Sequence, residues 1–332
     1  MIPEAVLDTP VHIGPRRMCH ANLFVSDVEA SIAFYTRTCG LDLASREPPI
    51  KAAFFSNGNS HHDLGMLEVT SDTVKGEGGH GILASGAASK TGLYHLGWEM
   101  ESEFELVKAY RRSLAAGFKV NRTSCHRSSN SMYVSDAEGL IHEFYADVAL
   151  DWRQCGPPKS GQWDPFAQPP KHASFYQTEP EVLVVPDAPL NPVRFSHAVL
   201  VVRDLERERR FFTNVVGLYE LPHRRSGRFA AFAAATGGYP CTLALIDGRI
   251  AAHSSRGLHH YSLEMADEAA LERAQSKLEA KGIRLERVVD QPHKRSLFVR
   301  DPDGIAVEFV VPRAKAIDFD ALPESADTGF LI

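Results

Sequence analysis

A chain of 332 residues with 44% hydrophobic and 23% charged residues is long enough for two domains, each with a core of its own. Its formal net charge of −6 gives no basic excess, and no uncharged apolar run approaches the length of a membrane span, so we expect neither nucleic acid nor a membrane as partner. The five cysteines are scattered and never spaced as CxxC, which argues against a disulfide framework or a cysteine-rich zinc site and predicts a cytoplasmic protein.

The first predicted strand and helix return in the second half of the chain. Residues 19–43 read CHANLFVSDVEASIAFYTRTCGLDL, and residues 196–221 read SHAVLVVRDLERERRFFTNVVGLYEL. In each copy a histidine, His20 or His197, opens an apolar strand, and an aspartate precedes the helix that follows. From the histidine to the glycine that ends the helix, the spacing is 20 residues in both copies, which indicates an internal duplication.

Two adjacent histidines open the last predicted strand of the first module, in NSHHDLGML at residues 59–67. Neighbouring side chains of a strand face opposite sides, so we expect only one of His61 and His62 to face a shared pocket. The second copy reads PCTLALI, which keeps the strand and places Cys241 where His62 stands. Because the strand needs no histidine there, we interpret His62 as a residue present for chemistry.

A second duplication carries another histidine and a glutamate in each half. LYHLGWEM is matched by LHHYSLEM, and MYVSDAEGLIHEFYAD is matched by LFVRDPDGIAVEFVVP. His95 and Glu143 lie 48 residues apart, and His260 and Glu308 are separated by the same 48 residues. The matched spacing indicates that the two halves share one arrangement of strands.

Each of these segments predicts a strand, an amphipathic helix near 102–116 or 267–281, and then a hairpin. The hairpin turns read DAEG and DPDG, with residues typical of tight turns. Together with the first duplication, this predicts an α+β protein made of four βαβββ modules.

The four modules are predicted to pair into two half-barrel domains. Residues 1–150 form the N-terminal domain, and residues 193–314 form the C-terminal domain. Residues 151–192 are rich in proline and glycine and predict a linker, and residues 315–332 form a C-terminal tail. Exposed strands and module faces predict a homo-oligomer.

Three side chains of each half can converge when two modules pair, because a strand shows alternate residues to opposite faces. The two sets are His20, His95 and Glu143 in the first half and, as a possible second site, His197, His260 and Glu308. Two imidazoles and one carboxylate form the facial triad of non-haem Fe(II) sites, and Mn(II) suits the same ligands. Their joint occurrence at matched spacing favours metal binding over isolated, half-buried histidines.

At these residues the sequence resembles the vicinal oxygen chelate superfamily and, within it, the type I extradiol catechol dioxygenases. The resemblance covers most of residues 17–148 and 193–312. It implies that paired βαβββ modules enclose a divalent metal, and that the protein is an oxidoreductase that opens a small catecholic ring with both atoms of O2.

The resemblance also implies roles for individual residues of the first half. The family's HxN motif matches His20 and Asn22, which implies that the Asn22 amide lies in the pocket near the site of O2. The family's HD motif matches His62 and Asp63, which implies that His62 is an acid/base that does not bind the metal. Tyr133, ten residues before the glutamate, matches the tyrosine that hydrogen-bonds the ring substrate in the family. His126 is a further candidate for binding substrate in this pocket, although its position favours the interpretation as an exposed loop histidine.

The second half departs from the family pattern where protons and the phenol are handled. Val199 replaces the amide, Cys241 the acid/base, and Phe298 the tyrosine. We therefore predict that the N-terminal domain, residues 1–150, is catalytic, and that the C-terminal domain, residues 193–314, has a structural role or a vestigial metal site. Familiar two-domain extradiol enzymes use the C-terminal half instead.

Two other functions stay open. A glyoxalase-like metal-dependent isomerase or lyase would need a fourth protein ligand, a glutamate on the last strand of the first module. That position falls near Gly65, and the nearest glutamate, Glu68, lies further along the strand. A non-catalytic ligand-binding protein of the same fold would need none of the proton-handling groups.

Overall fold

The computed structural model describes residues 2–58, 60–70, 74–75, 81–82, 90–149, 151–155, 161–166, 170, 182–224, 228–236, 239–249, 257–323, 325 and 327–332. These residues contain two sheets of eight strands each and a separate two-stranded hairpin. Parts of the predicted linker, at 156–160, 167–169 and 171–181, lie outside the described residues.

The first sheet belongs to the first half of the chain. Its strands, with the small hairpin β5–β6, are β1 Arg17–Val25, β2 Asp42–Glu47, β3 Ala52–Ser56, β4 Leu64–Glu68, β5 Val74–Lys75, β6 Gly81–Ile82, β7 Gly92–Glu99, β8 Arg122–Cys125, β9 Ser129–Ser135 and β10 Ile141–Asp147. The α-helices are α1 Glu4–Leu7, α2 Val28–Arg37 and α3 Glu103–Ala115, and short 3-10 helices occur at Pro48–Ile50 and Trp152–Cys155. The hydrogen-bonded order of the sheet is β2-β3-β4-β1-β7-β10-β9-β8.

The second sheet repeats this order in the second half of the chain. Its strands are β11 Arg194–Val202, β12 Tyr219–Glu220, β13 Phe229–Ala233, β14 Leu243–Asp247, β15 Leu258–Glu264, β16 Arg287–Gln291, β17 Lys294–Arg300 and β18 Ala306–Pro312. The helices are α4 Leu205–Arg210, which continues as a π-helix over Phe211–Val216, α5 Glu268–Ala280, a 3-10 helix at Phe319–Ala321, and α6 Thr328–Leu331. The strand order is β12-β13-β14-β11-β15-β18-β17-β16.

The predicted fold of four βαβββ modules in two half-barrels is confirmed. Within each module the first and last strands pair in parallel, as β1 with β4 and β7 with β10. The two modules of a half then join through antiparallel pairing of their first strands, β1 with β7 and β11 with β15. The first strand of each module therefore lies in the middle of its curled sheet.

The aspartates that precede the helices explain where two of the elements begin. The Asp27 carboxylate accepts hydrogen bonds from the backbone N–H groups of Glu29 and Ala30, 2.8 and 3.0 Å away. The Asp204 carboxylate accepts one from the N–H of Arg207 at 3.1 Å. Both are N-caps, which satisfy donors that the first helical turn leaves free.

The two halves share one core and meet through buried polar contacts. The Tyr35 hydroxyl on α2 donates to Asp301 Oδ2 at 3.0 Å and accepts from the Tyr261 hydroxyl at 2.7 Å. The N-terminal segment packs on the second half, where backbone N–H groups at 11–14 donate to carbonyls of the π-helix. No helix among the described residues combines the length and apolarity needed to cross a membrane.

Candidate metal centre

Three adjacent strands of the first sheet carry the predicted triad. His20 on β1 and Glu143 on β10 both pair with Gly97, the residue of β7 that lies two positions after His95. A Cβ atom on Gly97 would lie 2.1 Å from the His20 ring. The glycine therefore leaves the space in which the His20 side chain turns towards Glu143.

The ligand atoms of the triad face one another at short range. His20 Nε2 lies 3.1 Å from Glu143 Oε2, His95 Nε2 lies 3.0 Å from the same oxygen, and the two Nε2 atoms are 3.4 Å apart. Adjacent ligands held about 2.1 Å from one metal ion lie about 3 Å from each other. The three atoms thus have the mutual spacing of three cis ligands.

The electrostatics of the triad favour the protonation states that metal binding needs. Burial lowers the pKa of His20 to about 4 and also lowers the pKa of His95, so both imidazoles are neutral at pH 7. Burial alone would raise the pKa of Glu143, but its hydrogen bonds to both histidines hold it well below its ordinary value. Two neutral imidazoles and a carboxylate are the ligand forms of these residues.

Two unpartnered polar atoms lie beside the triad. Among the described residues, Asn22 Oδ1 and His62 Nε2 are buried without a hydrogen-bond partner. Buried polar atoms are normally satisfied, so these two atoms are available to a ligand that binds next to the triad.

Both histidines of the HH pair lie beside the triad. The His62 ring centroid is 4.3 Å from that of His20 and 4.4 Å from that of His61. The potential ligand atoms of His20, His61 and His62 all lie within 4.8 Å of one another. The expectation that only one of the pair could face the site was wrong, because β4 begins at Leu64 and the pair lies in the preceding loop.

The environments of the two histidines differ. Burial, reinforced by the charges of neighbouring histidines, lowers the pKa of His62 well below its ordinary value. His61 Nδ1 lies 3.4 Å from Asp147 Oδ1, and this carboxylate raises the pKa of His61 against the opposing effect of burial. His62 is thus a neutral base next to the triad, whereas His61 is paired with the carboxylate of Asp147.

Asn22 lies on the same face of β1 as His20 and pairs with Gly65 of β4. A Cβ atom on Gly65 would lie 2.2 Å from Asn22 Oδ1. Glu68 is turned away, towards Lys51 and the backbone N–H of Val28. Among the described residues, this strand therefore supplies no fourth carboxylate to the triad.

A hydrogen-bonded chain extends from the triad to the loop before β9. The Tyr133 hydroxyl donates to Glu143 Oε1 at 2.5 Å, and its oxygen lies 3.0 Å from His126 Nε2. Because the Tyr133 hydroxyl donates its proton to Glu143, His126 Nε2 must be the donor in its hydrogen bond to the Tyr133 oxygen. His126 is half-buried, which contradicts the exposed-loop alternative, although its role in substrate binding stays a prediction.

Arg122 completes this side of the site and was missed in the sequence. Its guanidinium carbon lies 4.0 Å from the centre of the Tyr133 ring, and its Nη2 donates to the Tyr94 hydroxyl at 3.3 Å. No carboxylate among the described residues lies within ion-pair distance of Arg122. Strand pairing between Arg122 and Tyr133 is the signal that could have found it, but only once the register of β8 was known.

The second triad converges as well, with different surroundings. His197 Nε2 and His260 Nε2 lie 3.1 and 3.5 Å from Glu308 Oε2. Lys294 Nζ lies 2.7 Å from Glu308 Oε1, and the Ser262 hydroxyl lies 3.0 Å from His197 Nε2. Neither Lys294 nor Ser262 was singled out in the sequence, although both differ from the matching residues of the first half.

The sequence profile of the Glyoxalase/Bleomycin resistance protein/Dioxygenase superfamily matches residues 17–144 and 194–309. The catechol-2,3-dioxygenase of Bacillus subtilis strain 168 is 25% identical over 316 residues, which cover 90% of this chain and 97% of that protein.

Two solved structures share the fold. The Mn(II)-bound glyoxalase of Novosphingobium aromaticivorans has a TM-score of 0.63 and 16% identity, and the match covers 92% of this chain and 84% of that one. The 2,3-dioxygenase LapB of Pseudomonas sp. KL28 has a TM-score of 0.62 and 16% identity, with coverage of 90% and 92%.

Proposed function

This chain belongs to the Glyoxalase/Bleomycin resistance protein/Dioxygenase superfamily, and on this premise we propose that it is an Fe(II)-dependent extradiol dioxygenase that opens a catechol ring with O2. The observation that carries the proposal is the convergence of His20, His95 and Glu143 next to a neutral, buried His62. The 25% identity to a catechol-2,3-dioxygenase over nearly the whole chain supports it.

The first triad would hold the metal through His20 Nε2, His95 Nε2 and Glu143. Fe(II), or Mn(II) in the same ligands, would supply Lewis acidity and a common binding point for catechol and O2. The remaining chemistry belongs to the side chains around the triad, which bind the substrate and move its protons.

His62 is the proposed acid/base. Its imidazole is neutral, lies against the ring of His20, and keeps Nε2 free of other described partners. A neutral imidazole at this position can take the proton of a catechol hydroxyl and later return it to the ring-opened product.

Tyr133, His126 and Asn22 are the proposed polar contacts of the substrates. The Tyr133 hydroxyl already lies between Glu143 and His126, so a small rotation would direct its proton towards a substrate oxygen instead. The free Oδ1 of Asn22 lies on the same face as His20, where it can orient a small polar reactant. The nearby guanidinium of Arg122 favours binding of the catechol as an anion.

Gly65 and Glu68 favour ring cleavage over a glyoxalase-like reaction. A fourth protein ligand at position 65 would collide with Asn22, and Glu68 is engaged with Lys51 on the opposite side. A triad with no fourth protein ligand leaves positions for both oxygen atoms of a catechol and for O2.

The test is O2 uptake after anaerobic loading with Fe(II), with catechol as substrate and the Glu143→Gln variant as control. We expect uptake with a coloured ring-opened product in the native chain, and neither in the variant. Turnover of a thiol adduct without O2 uptake would indicate a lyase or isomerase. Metal and catechol binding without either reaction would indicate a binding protein, and both results would contradict the proposal.

A further inference from the structure

The two triads differ at one position of their central strand, the residue that pairs with both a histidine ligand and the glutamate. In the first half, Gly97 pairs with both His20 and Glu143; in the second half, Ser262 pairs with both His197 and Glu308. The Ser262 hydroxyl lies 3.0 Å from His197 Nε2 and donates to Glu308 Oε2. A side chain thus lies between the ligands of the second triad, where the first triad has none.

A lysine ammonium is also built into the second triad. Lys294 lies 14 residues before Glu308, where the first half has Ser129 before Glu143. Its Nζ lies 2.7 Å from Glu308 Oε1 and 2.9 Å from the backbone oxygen of Ile332, and its side chain is fully buried. The negative charge of Glu308 is therefore already neutralised by a cation of the chain.

The C-terminal segment covers this arrangement. The Phe330 ring lies 4.5 Å from the His259 ring and 5.0 Å from the Phe298 ring, measured between centroids. Tyr239 stacks on His197 at 4.3 Å and donates its hydroxyl proton to the Ile332 oxygen at 2.7 Å. The ring that covers His197 thus comes from Tyr239, two residues before the Cys241 that aligns with His62.

The same contacts exclude a hydrolytic site built from Ser262, His197 and Glu308. In a catalytic triad, opposite ring nitrogens of the histidine contact the serine and the carboxylate. Here Nε2 of His197 contacts both Ser262 and Glu308. All three residues are fully buried or nearly so, so no substrate can reach the hydroxyl.

We propose that Lys294 and Ser262 together replace a metal ion in the second half, so that the native chain binds one divalent ion, at the first triad. Lys294 supplies the positive charge and the Ser262 hydroxyl supplies the hydrogen bonds that an ion would otherwise provide to Glu308 and His197. The inference rests on the proposed metal site of the first half only for the number of ions per chain.

The first experiment measures Mn(II) bound per chain after removal of adventitious metal, without catechol or O2. We expect one ion for the native chain and none for the Glu143→Gln variant. An ion that persists in this variant and disappears when His260→Ala is added would overturn the proposal. A native chain that binds no ion would contradict the proposed function, whereas the inference would still be decided by the next experiment.

The second experiment opens the site in the Glu143→Gln background by Lys294→Met together with Ser262→Gly, which restores the glycine of the first half. We expect this variant to gain one Mn(II), which His260→Ala then removes. A folded variant that gains no ion would overturn the proposal. The matched control is Lys281→Met, which removes an exposed lysine at the end of α5 and is expected to leave the metal content unchanged.

If the opened variant does not fold, the pairing is tested in the native background by comparing Lys294→Met with Lys294→Met/Glu308→Gln. Removing both charges leaves no buried carboxylate without a counter-ion, so the double variant should melt at a higher temperature than the single one. An equal or lower melting temperature for the double variant would show that Lys294 is not the counter-ion of Glu308.

Discussion

At the scale of single residues, the missing side chain of Gly97 sets the position of the first ligand. A Cβ atom there would lie 2.1 Å from the His20 ring, far inside contact distance. We expect Gly97→Ala to displace His20 and to lower both the affinity for Fe(II) or Mn(II) and the rate of ring cleavage, which metal titration and O2 uptake would measure. The control is Gly161→Ala, because the nearest atom to its Cβ is 4.0 Å away. Unchanged metal affinity in Gly97→Ala would contradict the proposed role of His20.

His62→Phe separates proton transfer from metal binding. Phenylalanine keeps a ring against His20 but can neither accept nor donate a proton, so we expect metal content to be retained and kcat to fall by about 10²–10⁴-fold. Metal analysis and steady-state O2 uptake check the two parts separately. Loss of metal in this variant would mean that His62 is a ligand, and the proposed assignment would be wrong.

The six triad residues could be proposed from the sequence because their spacing is duplicated. The positions of His61, Arg122 and Lys294 could not. His61 faces the site because the HH pair lies in a loop, and loop directions do not follow the alternation of a strand. Lys294 and Arg122 reach the sites from neighbouring strands of a hairpin. Their contacts depend on register, which the spacing of histidines and glutamates does not determine.

At the scale of elements, the capping aspartate of α2 permits a quantitative prediction. The Asp27 carboxylate satisfies two backbone donors of the first turn, so Asp27→Ala should lower the free energy of unfolding by about 1 kcal/mol. Chemical denaturation would measure the change. Asp42→Ala, at an exposed position of β2, should change stability far less, and equal effects of the two variants would contradict the capping contribution.

Element types and their order were predictable because the duplicated pattern repeats both the apolar periodicity and the turn residues. The helix predicted near 102–116 is observed as Glu103–Ala115, and the one near 267–281 as Glu268–Ala280. The π-helix at Phe211–Val216 was not predicted, since its apolar residues resemble those of an ordinary helix end. Hydrogen-bond pattern is a property of backbone geometry that periodicity does not encode.

At the scale of the whole molecule, acidic residues of both halves meet at a buried contact. Glu208 on α4 is fully buried close to Asp136 and Glu138, which belong to the DAEG turn of the first half. Burial, with the added repulsion of these two carboxylates, raises the pKa of Glu208 to about 9, against the opposing effects of the Glu138 backbone N–H and of Arg207. At neutral pH Glu208 is therefore protonated in the folded chain.

This raised pKa makes the free energy of unfolding of the chain dependent on pH. An unperturbed glutamate has a pKa of about 4.3. Below this pH, Glu208 is protonated in both the folded and the unfolded chain, so it does not make the free energy of unfolding depend on pH. As pH rises from there towards 9, the unfolded chain releases the proton while the folded chain retains it, so this residue lowers the free energy of unfolding progressively.

Glu208→Gln should remove this pH-dependent loss of stability while keeping the shape of the side chain. We expect its melting temperature to match that of the native chain near pH 4 and to exceed it by an increasing margin up to pH 9. Glu206→Gln, on the exposed face of the same helix, should show no such pH-dependent gain. A constant difference across the pH range would mean that Glu208 is already ionised in the folded chain at neutral pH, and that its pKa is not raised by burial.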